Sequence, residues 1–394
     1  MSETVLVRPE VPQIAIPAIA VRTGPWERQL GALVAERGWR RVALVCGTAF
    51  ARATGLPDAL RAALPAAEVL TWADGTPHAP VASVEAAAAA LRPFGPDVIV
   101  SAGGGSSHDL AKGVAVLLER GGRLLDHTLT FDPPDDLRPH PLPGEKVPIV
   151  TIPTTLSGAE ANGAAGYATE GGKRVLADLS LTPTAVLVDG ELAAATPREI
   201  YLGSVMNAVN HCVEGLASRR SSLFTTALFR SGLGELAAVS ESLAASGLDA
   251  ASCERAGVAS ALIGVGLPGS WLGLAHAIGH VIGGVHGVPH GWCHAVIAPA
   301  VVRFNAGDPA AARAHADAAR VLSLDDGDSA ALAAWLRATA DAFALPATLS
   351  DLGVTPDAIP ALADAAWRDH DSFYNPRRIT GPREIEGVLE GVVG

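Results

Sequence analysis

From Ala256 to Val302 the chain carries no Asp, Glu, Lys or Arg, yet the middle of that stretch, WLGLAHAIGHVIGGVHGVPHGWCHA from Trp271 to Ala295, holds His276, His280, His286, His290 and His294. A run that long without a formal charge belongs in the interior, where an imidazole needs a partner or a task. His276 and His280 stand four apart, which puts both on one helix face. Gly283-Gly284 reads as the end of that helix, and Pro289, a favoured first helical residue, lets His290 open the next one and point back at the pair. Such a set builds a metal or proton-transfer centre. One buried histidine is ordinarily a satisfied core residue, but three that converge are harder to dismiss; His286 and His294 are read as structural or supporting. The run also exceeds the length that crosses a bilayer. Pro268, the glycines and the histidines interrupt it, which favours a pair of buried core helices.

The remaining composition narrows the partners. With 394 residues, 49% of them hydrophobic, there is room for two domains around substantial cores. A net charge of -12 and the lack of a basic run argue against a nucleic-acid partner held by its phosphates. Cys46, Cys212, Cys253 and Cys293 form no CxxC pair, and MSETVLVRPE lacks the basic start and apolar core of a secretory signal. The expectation is a cytoplasmic globular protein, not membrane-bound, that acts on a small molecule.

The first half alternates strand and helix: VALVCGT, a helical stretch to Ala67, VLTWADGTPHAP, a helix through Ala90, then DVIVSA. That rhythm predicts a parallel sheet with crossover helices. At the end of DVIVSA stand Gly103, Gly104, Gly105, Ser106, Ser107, His108, Asp109, Leu110, Ala111 and Lys112, opening a helix. Glycines after a strand and before a helix let a phosphate approach backbone N–H groups at a helix N-terminus; the bland alternative is a tight turn. Lys112, one of three lysines, is placed to join them. After the Pro- and Asp-rich surface loop from Asp126 to Pro143, VPIVTIP leads into Thr154, Thr155, Leu156 and Ser157, hydroxyl residues suited to phosphate or ribose. GYATE and TAVLVDG read as a last extended pair. Near Asp189 the pattern turns helical. Thr196-Pro197-Arg198-Glu199 reads as a capping box, Asn207 and His211 share a helix face, and apolar spacing marks helices over Leu223 to Ala245, Ala256 to Leu267, Ala310 to Leu322, Ser329 to Phe343 and Asp357 to Trp367.

GGGSSHDLAK, IPTTLSGAE, MNAVNHCVEG and LAHAIGH with VPHGWCHA together resemble the iron-containing (group III) alcohol dehydrogenases over nearly the whole chain. TPHAPV, MNAVNH and YNPRRIT are more similar to the maleylacetate reductase forms within that superfamily. The resemblance implies a dehydroquinate synthase-like fold: an α/β Rossmann-like nucleotide-binding domain over residues 1–190, an all-α domain over 191–394 and a cleft between them. It further implies an NAD(P)H-dependent oxidoreductase that reduces a carbonyl or enol-keto group, working as a homodimer. The cofactor residues would be Gly47, Gly103, Gly104, Gly105, Ser106, Asp109, Lys112, Thr154, Thr155 and Ser157, with His280, His276 and His290 catalytic.

Asn207, His211, His276 and His290 fall where metal-dependent relatives hold iron or zinc. Asn207 replaces their Asp, so the set lacks the anionic oxygen that a divalent ion prefers; maleylacetate reductases also have Asn there, and the expectation is reduction without a metal. The segment TTLSGAEANG and GGKRVLADLSLTP depart from the reductases' TTYAGSE and Lys-Thr-Gly-Arg-Asp forms, leaving Lys173 and Arg174 for substrate. VALVCG ends in Gly47 where NAD-preferring relatives often have Asp, so NADP(H) would meet no repulsion and Arg52 could pair with its 2′-phosphate; NAD(H) and NADP(H) both stay open. The rival classes are an iron- or zinc-dependent alcohol dehydrogenase, a non-redox enzyme on this scaffold, as in sugar-phosphate cyclases, and a non-catalytic ligand-binding protein.

Overall fold

The computed structural model describes residues 18–394 apart from 135, 139, 170 and 171. β1 (Ala20–Thr23) leads through α1 (Trp26–Arg37) into β2 (Arg41–Gly47), buried without interruption from Val42 to Cys46. Two short helices, α2 (Thr48–Thr54) and α3 (Leu56–Ala63), replace the single helix read up to Ala67, because Gly55 between them takes the left-handed φ of 62°. β3 (Glu68–Gly75), α4 (Val81–Leu91), β4 (Val98–Gly103) and α5 (Gly105–Arg120) continue the alternation. The surface loop carries a small hairpin, β5 (Thr130–Asp132) and β6 (Asp136–Arg138), before β7 (Ile149–Pro153) re-enters the sheet. β8 (Ala164–Thr169) and β9 (Gly172–Ala177) form a separate antiparallel hairpin, and β10 (Ala185–Val188) ends the alternation. GYAT therefore pairs with GKRVLA and not with TAVLV, which joins the main sheet between β1 and β7.

The main sheet has the order β1-β10-β7-β4-β2-β3 with every pairing parallel. Helices cover both faces, which is why β2, β4 and β10 are apolar runs without alternation. After β3 the chain returns to the other side of β2. The order therefore reverses between β2 and β4, and their carboxyl ends, Gly47 and Gly103, open the crevice where such sheets bind ligands.

Helices make up the rest: α6 (Gly190–Ala194), α7 (Arg198–Ala217), α8 (Leu223–Ser246), α9 (Ala250–Ser270), α10 (Leu274–His286), α11 (His290–Asn305), α12 (Pro309–Val321), α13 (Ser329–Ala342), α14 (Ile359–Trp367) and α15 (Pro382–Glu390). α7 is buried over nearly its full length and forms the axis of one apolar core with α8, α9 and α13. A second core joins α10 and α11 to α14 and α15.

Three local readings are corrected. The Thr196 hydroxyl donates to Thr154 O at 3.0 Å across the two halves, and α7 starts after Pro197 with no side-chain cap. Gly283-Gly284 does not end α10, which runs to His286 and stops at Gly287, a left-handed cap with φ 67°. Gly283 is there for contact: a Cβ would stand 3.2 Å from both the His290 ring and Val288 O. α9 also passes through Pro268 to Ser270, and α10 departs from it at 107°. Among the described residues no single helix is long and apolar enough to cross a membrane.

Candidate active site

A cleft of about 1030 Å³ lies between the sheet's carboxyl edge and the helices. Its first wall is backbone. Gly47, Gly75, Gly103, Gly104, Gly105 and Ser106 line it, with Asp109, Thr155 and Ser157. Gly103 has φ 120°, which only glycine adopts freely, and Gly104 precedes the free N-terminus of α5. Gly105 serves packing as well: a Cβ there would sit 2.9 Å from that of Ser157. Asp109 points Oδ2 at Gly166 N, 3.2 Å away.

Two residues assigned to this wall lie behind it. Lys112 is fully buried, with Nζ 2.6 Å from both Ala159 O and Ala164 O and 3.4 Å from Asn162 Oδ1. Its three donors are taken, so it braces α5 against the following loop and has none left for a phosphate. Burial drives its pKa down to about 8 against the attraction of Asp109 and Glu160. Thr154 is also buried outside the cleft, its N–H on Gly103 O. Glu160 ties the loop to the helices by accepting from the hydroxyls of Ser157 and Ser260.

The second wall is imidazole. α7 presents Asn207 and His211, α10 presents His276 and His280, and α11 opens with His290; all five line the cleft. The rings pack closely: His211 stacks on His276 at 4.7 Å between centroids, and His280 lies 5.3 Å from His290. His294 joins them, 4.1 Å from His276. Burial lowers the pKa of His211 to about 3, with His280 and Lys173 adding repulsion. Burial, again first, holds His276, His290 and His294 well below the ordinary histidine range, with the neighbouring imidazoles and, for His290 and His294, Lys173 adding repulsion. These imidazoles are neutral. Among the described residues Asn207 Oδ1, His211 Nδ1 and His276 Nε2 have no partner, which is open hydrogen-bonding capacity. His286 half-emerges at the last turn of α10, away from the cleft.

Carboxylates behind this wall were not anticipated. Glu214, one turn on from His211, shares a short hydrogen bond with His276 Nδ1 and accepts from Ala275 N at 2.7 Å. Burial raises its pKa to about 8. His280 Nδ1 lies 2.9 Å from Asp369 Oδ2 on the segment after α14, and Asp371 Oδ2 is 3.9 Å from the same nitrogen. Asp369 is lowered although burial opposes it, because His280 and His370 draw it toward the anion; burial raises Asp371. His280, Asp369 and Asp371 could each offer an atom to a cation within 4.8 Å of one another, but the Nδ1 of His280 is already bonded to Asp369. His78 and Lys173 complete this end: the His78 ring is 6.1 Å from that of His290, and Lys173 Nζ is 3.5 Å from His290 Nε2. Only Glu214, three residues from His211 on the same helix, carried a spacing signal; Asp369, His78 and Lys173 arrive by tertiary folding.

The chain matches the family described as iron-containing alcohol dehydrogenase over residues 17–190 and its C-terminal counterpart over residues 202–391. The NAD-dependent methanol dehydrogenase of Bacillus methanolicus is 27% identical over 364 residues, covering 90% of this chain and 92% of that protein. Among solved structures, the alcohol dehydrogenase from Oenococcus oeni superposes with a TM-score of 0.87 at 18% identity, covering 96% of this chain and 99% of that one. The maleylacetate reductase from Agrobacterium tumefaciens superposes with a TM-score of 0.77 at 23% identity, covering 96% and 97%. With both halves matched and the architecture shared from end to end, the chain belongs to the iron-containing alcohol dehydrogenase family of oxidoreductases.

Proposed function

We propose that the protein is an NAD(P)H-dependent reductase of a carbonyl or enol-keto group on a small substrate, similar in type to maleylacetate reductase and working without a metal. The observation that carries this is the pairing of walls: a glycine-lined strand-to-helix crevice faces a carboxylate-backed histidine pair across one cleft. The crevice fits a dinucleotide, since Gly103 and Gly104 leave N–H groups at the start of α5 uncovered. A reduced nicotinamide held there would supply the hydride for the electrophilic carbon. The oxygen of that carbonyl then needs one proton to become a hydroxyl. His280, with Nδ1 held by Asp369, keeps Nε2 as its remaining proton-carrying atom. His276, fixed by Glu214, offers only Nε2 to a ligand. Asp369 holds the His280 ring through Nδ1 and leaves Nε2 to the ligand, so that ring is assigned as the donor.

As holders of a divalent ion, Asn207, His211, His276 and His290 do not fit. Three imidazoles can hold zinc, but here the fourth residue is a neutral amide and a lysine ammonium stands 3.5 Å from His290 Nε2. A dication would displace that charge or be repelled by it. Their open, neutral acceptors suit an oxygen-rich organic molecule. For the cofactor, β2 ends in Gly47 with no carboxylate, and Arg52 on α2 is exposed, which supports use of NADPH as well as NADH.

The test is oxidation of each cofactor with a panel of oxo acids, aldehydes and ketones, before and after chelator, with metal content measured on wild type and Asn207→Asp after identical dialysis. Turnover that survives chelation, with zinc or iron retained only by Asn207→Asp, is the expected result. Stoichiometric metal in the wild type and activity abolished by chelator would sink the metal-independent reading.

A further inference from the structure

We propose that Trp271 is an aromatic platform for the substrate, and that the cleft therefore takes a carbonyl compound with an aromatic ring a few bonds from its reacting carbon. This rests on the reading of the cleft as a carbonyl reductase.

Trp271 stands in the break between α9 and α10 with φ 57°, a left-handed value at which glycine is the ordinary residue and a bulky side chain is costly. Two hydrogen bonds hold it there: Trp271 N donates to Leu267 O at 2.8 Å, and Trp271 O accepts from the Ser270 hydroxyl at 2.9 Å. Core packing does not call for the ring, because Trp271 is only partly buried and lines the cleft. Strain kept at a cleft wall marks a position where the side chain itself has a task.

The surroundings fix the ring and leave part of it open. Tyr374 stacks on it at 5.4 Å between centroids and 10° between planes, and His370 meets it edge-on at 5.3 Å. Tyr374 is 2% exposed and does not line the cleft, so it covers one face of the indole, and the exposed remainder is turned to the cleft. Arg220 lies over the Tyr374 ring, 6.0 Å from its centroid, and not over the indole. Tyr374 is itself held: Arg219 N donates to its carbonyl at 3.0 Å, and the next residue, Asn375, is bonded to Leu274 N and to Asn305. The wall around Trp271 is apolar. Phe224 and Leu272 line it, and Gly269 lets the end of α9 close on the first turn of α8, where a Cβ would stand 2.8 Å from Thr225 Cγ2. His370 stacks in turn on His280 at 6.1 Å and 14°, so a single imidazole separates the indole from the proposed proton donor. A substrate whose oxygen meets His280 reaches Trp271 with the far end of its skeleton, and a flat ring there gains offset stacking against an indole held rigid beforehand.

The experiment compares 3-phenylpropanal with 3-cyclohexylpropanal, whose carbonyls are equally unconjugated, in wild type, Trp271→Phe, Trp271→Leu and Trp271→Gly. The cyclohexyl ring is the more hydrophobic, so burial of area alone gives the phenyl compound no advantage. Stacking should make wild-type kcat/KM about fivefold higher for the phenyl compound. Trp271→Phe should keep most of that ratio, and Trp271→Leu and Trp271→Gly should bring it to about one, with the change in KM and not in kcat. Trp271→Gly relieves the strain but loses the packing on Tyr374, whereas Trp271→Leu keeps part of that contact, so a non-aromatic variant is in hand if melting shows the glycine protein unfolded. The same ratio throughout would overturn the proposal, as would a wild type that prefers the cyclohexyl compound. An equal fall in kcat for both compounds would overturn it too, making Trp271 a support for His370 and the carboxylates beside it. Where neither aldehyde turns over, calorimetry of 3-phenylpropan-1-ol and 3-cyclohexylpropan-1-ol, with and without NADPH, decides the platform alone: equal affinities in wild type remove it, and a phenyl preference lost in Trp271→Leu supports it. The reductase reading stands or falls separately, on the panel of oxo acids, aldehydes and ketones.

Discussion

The two walls of the cleft meet a ligand by opposite means. On the sheet side the contact surface is mainly backbone and small residues, and Lys112 and Glu160 are buried behind it as braces. On the helix side the contact surface is side chain, imidazoles whose neighbouring rings lie 4.1 to 6.2 Å apart, with burial holding His211, His276 and His290 neutral and with Glu214 and Asp369 behind His276 and His280. A wall of amides tolerates loss of one contact because neighbouring N–H groups share the ligand. A wall of imidazoles divides its work ring by ring, so one substitution should remove one chemical step.

The sharpest test of that division is His280. If its proton completes the hydroxyl, His280→Ala should lower kcat about 10³-fold, and Asp369→Asn about 10²-fold, by loosening the ring and withdrawing the anion behind it. Cofactor affinity should stay near wild type in both, measured by quenching of protein fluorescence on NADPH binding. Equal losses in affinity and kcat would show that the walls are not independent.

The division also explains what could be read before folding. Alternating apolar runs, the glycine loop, the i, i+4 spacing of Asn207 with His211 and of His276 with His280, and Pro289 ahead of His290 are local signals, and the architecture and four of the cleft histidines followed from them. Lys112 misled because a lysine beside a glycine loop looks the same in sequence whether it faces the phosphate or the loop behind; only the three acceptors around Nζ decide. Gly283-Gly284 misled because glycine permits both helix ends and close ring contact, and the contact won. Asp369 was invisible because it reaches His280 across 89 positions of sequence, with no periodicity connecting them.

Acid should undo the imidazole wall before it alters the chemistry of the other. The folded pKa of His211 is about 3, against the ordinary 6.5 of a histidine, so its stabilising contribution is complete above 6.5 and lost as pH falls toward 3. The sign is that of a lowered group: below 6.5 the unfolded chain binds the proton first. At pH 5 each such histidine costs about 2 kcal/mol. His108, buried behind the glycine loop and also lowered to about 3, adds a similar amount. Glu214 works the other way, since a carboxyl raised to about 8 stabilises most below its ordinary range and loses that contribution as pH rises through 8. Burial raises Asp109, Glu160 and Asp371 as well, but the lowered histidines, His78, His108, His211, His276, His290, His294 and His315, outnumber these carboxyls, so urea midpoints should fall from pH 7 to pH 5, with a flatter slope in His211→Gln. A midpoint independent of pH over that interval would mean these rings are protonated in the fold.

The smallest effect separates bracing from binding at Lys112. Lys112→Met keeps the length of the side chain but leaves Ala159 O and Ala164 O without their donor, and removes the cation that partly offsets the burial of Asp109 and Glu160. The cost to folding should be about 3 kcal/mol, read as a lower urea midpoint at constant slope. Cofactor affinity, measured well below the transition, should weaken by no more than about threefold, because the N–H groups at the start of α5 are unchanged. A phosphate ligand would behave the other way, with stability near wild type and affinity lost by about 30-fold or more. The two readings thus predict opposite rankings for one variant, and the buried position of Nζ selects the first: its donors face the loop that Glu160 ties to the helices, so the charge of Lys112 helps hold the two walls at their working distance.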